Sequence, residues 1–514
     1  MAPDPKQTFR VRDVTLFRGD IKIYLTEGVL SFLTPVCGKT VAAIFSTEPV
    51  DAGDAEVIVL PPQRNERAVL ASFIKTPNLD EHFTAALFLF SDQSAQELLH
   101  AIQQAPVHNL PDVALQLTPD TRTLVAAMGN EMRGQLAASI LDQHDPEQGF
   151  FYALLGGRTL GSFDALYNPE EFEQVTVGRG GVLSSSDSSF RIWSSFRTRS
   201  SGPYKPGAPD IAGYRIQTDI HPDLSLAADA SFTWHAGAGN GRVIPLSIVD
   251  KLKIDSAQVD GHPVEVLQPS GGGQTQPLNE AGAFFLITDE PIAPGSTHQV
   301  EVRYEGSVIR KTDTGSYYVD DRNAWYPFSR PTLATFDLTF RCPENLRLVS
   351  SGELVSDTVS NGIRTVHRVT RRPEALAGFN LGDYDITAGD HGPYRIECYA
   401  NKSSGPMMAD IPNQLDEILD FYTSRWIQLP IHSIAVSPVP AAFGQGFPGL
   451  IYLSDVSYIR PEDRPLNLRS AALDQFFTQL LLPHETAHQW WGNIVTAAVS
   501  DFKHPRCQLS LIHI

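Results

Sequence analysis

Between Phe9 and Phe90 the chain alternates short apolar stretches, "IKIYL", "VAAIF", "AEVIVL" and "TAALFLF", with breaks at Gly, Pro and Asp. Runs of that length, rich in β-branched and aromatic residues and bounded by turn formers, predict strands. The period then changes. "SDQSAQELLHAIQQ" opens on the capping-type pair Ser91-Asp92 and sets Leu98, Leu99 and Ile102 at helical spacing, and "TPDTRTLVAAMGNEMRGQLAASILDQ" predicts a longer helix. "SSSDSS" at Ser184–Ser189 reads as a loop and "RTRSSGPYKPGAPD" at Arg197–Asp210 as a linker. From Tyr214 the alternation is that of long strands, "YRIQTDIHP", "LSLAADASFTW" and "HQVEVRYEG", separated by turn-rich segments such as "QPSGGGQTQP". No internal repeat is evident. The pattern predicts a multidomain α+β protein, with an N-terminal α+β domain over 1–205 followed by a β-domain.

Composition narrows the possible partners. A chain of 514 residues is too long for one hydrophobic core. A net charge of −19 offers no electrostatic footprint for a polyanion, so nucleic acid is not expected. Four scattered cysteines, Cys37, Cys342, Cys398 and Cys507, form no C-x-x-C pair and no dense framework. No apolar run is long enough for a transmembrane segment, and "MAPDPKQTFRVRDV" has neither the basic start nor the apolar core of a signal peptide. The expectation is a cytoplasmic protein, or a secreted or periplasmic one whose signal has been removed.

The candidate chemistry lies in "PHETAHQWWGN", which begins at Pro483. Four residues turn a helix by about 400°, so His484 and His488 project from one face, a turn apart, and can share a metal ion. A zinc ion held by such nitrogens at roughly 2.0–2.1 Å acidifies a bound water and polarises a carbonyl. Glu485 stands where a carboxylate can take that water's proton, which suits hydrolysis of an amide. Pro483 is read as marking the start of the helix. The plain alternative, a surface helix with two histidines by accident, is disfavoured by the flanking residues.

Those flanks, Gln489, Trp490, Trp491, Gly492 and Asn493, complete "HETAHQWWGN", which resembles the signature of the gluzincin M1 aminopeptidases. "NAWYPFSRPTLATFDLTFRCPENLRLVSSGEL", Asn323 to Leu354, followed by "GFNLGDYDI", is similar to the saddle-like β-domain that precedes the catalytic domain in that family. Taken alone, Trp325, Tyr326 and Phe336 read as sheet-core aromatics. The resemblance covers roughly Ala212 to Asp501 and leaves residues 1–205 without a role. It implies a saddle-like β-domain over 206–399, a truncated thermolysin-like catalytic domain over 400–514, one zinc ion held by His484 and His488, Glu485 as general base, and peptide or protein substrates.

In two places the sequence departs from the family. M1 aminopeptidases carry G-x-M-E-N, whose glutamate holds the substrate's free amine. Here the stretch is "FGQGFPGLIYLSD", with Gly446 where that glutamate would fall. Main-chain pairing of an extended substrate by Gly444, Gln445 and Gly446 is still possible, because β-augmentation uses backbone groups. A glycine-rich turn that touches no substrate is the equal alternative. The second departure is the family's third zinc ligand, a glutamate on the next helix, which falls at Cys507. "KHPRCQLSLIHI" lacks the helical pattern and contains Pro505. "LSLIHI" is also what one frame of a transposon end used in sequencing libraries encodes. The residues after about Asp501 are therefore expected to be non-native, and His504 and His513 receive no role. The chain is expected to be a C-terminally truncated, inactive form of a zinc metallopeptidase. Two alternatives stay open: a catalytically silent M1-like protein-binding module, and a zinc hydrolase acting on a non-peptide substrate.

Overall fold

The computed structural model describes residues 1–104, 109–118, 122, 124–125, 130–141, 149–179, 192–200, 209–237, 241–268, 281–312, 317–319, 322, 324–329, 333–402, 407–440 and 443–495. Among them strands predominate, so the protein is mostly β and multidomain rather than evenly α+β. Each predicted N-terminal stretch lies in a strand: Ile21–Leu33, Ala42–Ser46, Asp54–Val59 and Leu79–Phe90. With Pro3–Arg18, Phe151–Gly157, Gly161–Tyr167, Val175–Arg179 and Ile192–Phe196 they form a nine-stranded sheet with antiparallel pairing throughout.

Ala42–Ser46 is buried at every position because both faces of this sheet are covered. One face packs Leu70, Leu98 and Ile102 from the helices Arg64–Ile74 and Ser94–Gln103. The other packs Leu117, Met132 and Leu136. The helix Asn130–Leu141 lies within the long helical stretch expected there, part of which is outside the described residues. The helix Arg64–Ile74 was not anticipated. Its capping box uses Gln63 and Glu66, and Gln63 is not among the usual N-cap residues.

The alternation from Tyr214 onward becomes an eight-stranded sheet with one parallel pair, Asp210–Ile220 beside Thr335–Pro343. Positions in Asp210–Ile220 and Leu226–His235 are buried mainly in alternation, as expected of a sheet with one face on a core. Trp325, Tyr326 and Phe336 are deep in that core, and the Trp325 indole donates to the Ala377 carbonyl at 2.9 Å. The third unit is a five-stranded mixed sheet in the order Tyr384–His391, Tyr394–Asn401, Ser433–Val439, Leu450–Ser454, Gln445–Phe447. Its first two strands precede or span position 400. The helix Asp410–Thr423 connects its first parallel pair, and Gln445–Phe447 is an edge strand. Cys37 is an exposed free thiol, Cys342 and Cys398 are buried free thiols, and Cys507 lies outside the described residues. No described helix is long and apolar enough to cross a membrane.

Candidate metal centre

The motif is carried by a helical run that begins well before Pro483. Ala471–Gln475 leads into a π-helical turn, Phe476–Leu480, and then into the α-helix Leu481–Ala487, with His488 as its C-cap. The expectation that Pro483 starts the helix is thus corrected: it occupies the first turn of the final α segment, not the start of the run. Proline lacks the N–H that a continuous α-helix would use there, and the wider turn just upstream, closed by Leu481 N–H to the Phe476 carbonyl, accommodates the interruption.

On this helix the ligand atoms of His484, Glu485 and His488 lie within 4.8 Å of one another. The two imidazole centroids are 5.1 Å apart. His488 Nδ1 is 3.1 Å from the Trp491 carbonyl, so Nδ1–H donates and Nε2 keeps its lone pair for a metal. Burial lowers the pKa of both histidines, and His488 lowers that of His484 further, so both are neutral imidazoles at neutral pH. Two neutral imidazoles with one ring oriented by a carbonyl fit zinc. Glu485 is 4% exposed and its carboxylate accepts no hydrogen bond from the described residues; burial pushes it up to about 8. Its Oε1 lies 4.0 Å from His484 Nε2.

The motif's flanking residues brace this helix. Gln489 donates from Nε2 to the Phe447 carbonyl at 2.8 Å and accepts from Gly449 N–H at 2.9 Å. Asn493 donates to the Gly446 carbonyl at 3.3 Å, and the Trp490 indole to the Ile427 carbonyl at 2.7 Å. Gly492, at φ +96°, occupies a left-handed turn that disfavours a side chain. Together these fix the edge strand Gln445–Phe447 against the motif.

That contact is close. A Cβ on Gly446 would sit 2.4 Å from the Glu485 carbonyl oxygen and 2.6 Å from His488 Cβ; one on Gly444 would sit 2.6 Å from Glu485 Cγ. The structure therefore brings Gly444 and Gly446 to the histidines and Glu485, whereas Gln445 reaches Arg322, whose Nε donates to Gln445 Oε1 at 3.1 Å. Sequence reasoning missed Arg322, since nothing in the pattern links positions 322 and 445. Cys507, His504 and His513 lie outside the described residues, as does Asp501.

No protein-family profile matches the chain. Among curated proteins it is 24% identical over 207 residues to aminopeptidase M1-C of Oryza sativa subsp. japonica, covering 39% of this chain and 23% of that protein. It is 23% identical over 247 residues to mouse aminopeptidase Q, covering 41% and 43%, and 23% identical over 269 residues to a leucyl aminopeptidase of Saccharolobus solfataricus, covering 48% and 31%. The matched stretches thus span less than half of each of these relatives. The solved M1 zinc metallopeptidase of Deinococcus radiodurans overlaps 56% of this chain and 65% of its own at a TM-score of 0.43 and 17% identity, a likeness too slight to place any element. In sequence, then, the chain is similar to aminopeptidases, among them aminopeptidase M1-C.

Proposed function

We propose that this chain carries the reaction centre of a zinc-dependent metallopeptidase of M1 type acting on peptides or proteins. Residues 1–205 form an α+β domain of open role, 206–399 a saddle-like β-domain, and 400–514 a thermolysin-like domain whose sheet also takes in Tyr384–His391 and Tyr394–Asn401. His484 and His488 hold the zinc and Glu485 is the general base. When bound, zinc acidifies water and polarises the scissile carbonyl. The chain's own groups do the rest. The backbone of Gly444–Gly446 pairs with an extended substrate, and Glu485 takes the proton of the attacking water and passes it to the departing amide nitrogen.

The observation that carries this reading is the set of three donor groups within 4.8 Å, one of them a buried carboxylate that accepts no hydrogen bond from the described residues. Among the described residues no further His, Cys, Asp or Glu joins this cluster. The test is metal content and peptide hydrolysis of the zinc-loaded full-length protein, with His484→Ala and His488→Ala as controls. Zinc that depends on both histidines, together with cleavage, supports the enzyme. No metal after careful loading favours the silent binding module, and zinc without peptide cleavage favours a non-peptide hydrolase.

A further inference from the structure

Arg322 is 6% exposed, and among the described residues its guanidinium makes no ion pair. Buried cations are rarely left without a counter-charge, because desolvation of the ion is not otherwise offset. Of its five N–H donors, one binds Gln445 Oε1 and one the Val319 carbonyl, at 3.1 and 3.4 Å. The other three find no acceptor among the described residues. The rings of Tyr318, Phe443 and Tyr452 stand 5.1, 5.1 and 4.9 Å from its central carbon. Such faces attract the cation without using its donors and hold the planar group in one orientation. The result is an oriented guanidinium whose remaining donors meet no anion among the described residues.

Its position matters as much as its charge. Gln445, which it binds, lies between the two glycines that abut Glu485 and His488. Where the family resemblance puts an amine-binding carboxylate, this chain has Gly446, so the strand edge has lost a negative charge and has a cation beside it. We propose that Arg322 is the substrate-anion receptor of the cleft, binding a carboxylate of the peptide laid along Gln445–Phe447. This rests on the peptidase reading above. The carboxylate has two possible sources, an acidic side chain or the peptide's own C-terminus. A guanidinium can grip either with two parallel bonds.

The test reads binding, not turnover. In the full chain carrying Glu485→Gln and loaded with zinc, calorimetry compares Glu-Ala-Ala amide with Gln-Ala-Ala amide, and Ala-Ala-Ala with its C-terminal amide. The acid of at least one pair is expected to bind about tenfold or more tighter than its neutral partner, and the pair that responds identifies the source. Adding Arg322→Gln should reduce that preference to under about twofold. If that variant fails to fold, Arg322→Lys replaces it and should weaken the preference, since an ammonium cannot form the paired bonds. Equal affinities within both pairs overturn the proposal, as does a preference that survives the substitution. Failure to bind any of the four peptides overturns it together with the substrate-strand assignment, whereas zinc content, measured on the same sample, reports separately on the metal centre.

Discussion

Glu81 and Glu485 are equally buried, each 4% exposed, and their surroundings are opposite. Glu81, in the nine-stranded sheet, accepts from the backbone N–H groups of Thr159 and Leu160 at 2.5 and 3.0 Å and from the Thr159 hydroxyl. Those donors belong to the turn between Phe151–Gly157 and Gly161–Tyr167, so the carboxylate closes a hairpin. Glu485 accepts no hydrogen bond from the described residues, and burial alone pushes it to about 8. A satisfied buried carboxylate locks a turn. An unsatisfied one costs stability and leaves its oxygens available for a proton, which is a reason to look for chemistry beside it.

The sharpest way to break this comparison is to neutralise each carboxylate. In the full-length protein, Glu485→Gln should leave zinc content unchanged and lower peptide hydrolysis by about 10²–10⁴-fold, because the base is lost while both imidazoles remain. Turnover and metal content measured on one sample check this, and near-normal turnover rejects Glu485 as the base. At pH 5, where burial keeps Glu485 protonated in the folded chain, its effect on folding should be small, since no hydrogen bond to a described residue is broken. Glu81→Ala should do the reverse. It removes the acceptor of the Thr159 and Leu160 N–H groups and of the Thr159 hydroxyl, donors at an exposed and a half-buried turn position, at a cost of about 1–2 kcal/mol, visible as a lower denaturation midpoint with the metal site intact. If Glu81→Ala unfolds no more readily than Glu485→Gln, hydrogen-bond satisfaction is not what separates the two sites.

Glu374 sharpens the comparison, being a burial-raised carboxyl that belongs to no metal-ligand cluster among the described residues. Burial, aided by the charge of Glu353, pushes it to about 8, and its Oε2 has no hydrogen-bond partner. An unfolded glutamate ionises near about 4.3. Between that pH and about 8 the unfolded chain therefore binds fewer protons than the folded one, and stability falls as pH rises through this window. Glu374→Gln should flatten the fall by about 3–4 kcal/mol, measured by denaturant unfolding at pH 5 and pH 8. A pH profile that Glu374→Gln leaves unchanged would show that the folded carboxyl ionises normally.

Much of this was legible in the sequence because it depends on local periodicity. The N-terminal strands followed from apolar runs, and the two histidines and Glu485 followed from helical spacing. What stayed hidden depends on distant partners. The Q-W-W-G-N flank was readable as a signature. Its physical role, with Gln489 and Asn493 clamping the turn and strand at Gly446–Gly449, required knowing which strand lies against the helix. Glycine at 446 read equally as a turn or a substrate edge, until its close approach to His488 gave it a steric reason. Arg322 looked like an ordinary charged residue, because only the fold brings Phe443 and Tyr452 onto it from more than a hundred residues away, beside its sequence neighbour Tyr318.

The smallest expected effect concerns the substrate's amine. In an enzyme that anchors the free α-amine, acetylating it removes a charge-assisted contact and cuts turnover severely. Here the position expected to supply that carboxylate is Gly446, and any side chain there would meet the Glu485 carbonyl oxygen at 2.4 Å unless the strand moved. The nearby charge on the strand's other side is the Arg322 cation, which repels an ammonium. N-acetylated and free-amine versions of one peptide should therefore differ by less than about threefold in kcat/KM, a difference below about 0.7 kcal/mol. The measurement is a paired comparison at fixed pH and ionic strength, since screening by salt would blunt a purely electrostatic preference. A strict requirement for the free amine would mean that another acidic residue does the anchoring. Gly446 would then be only a steric gap between strand and helix, and the contrast between this cleft and that of the amine-anchoring relatives would disappear.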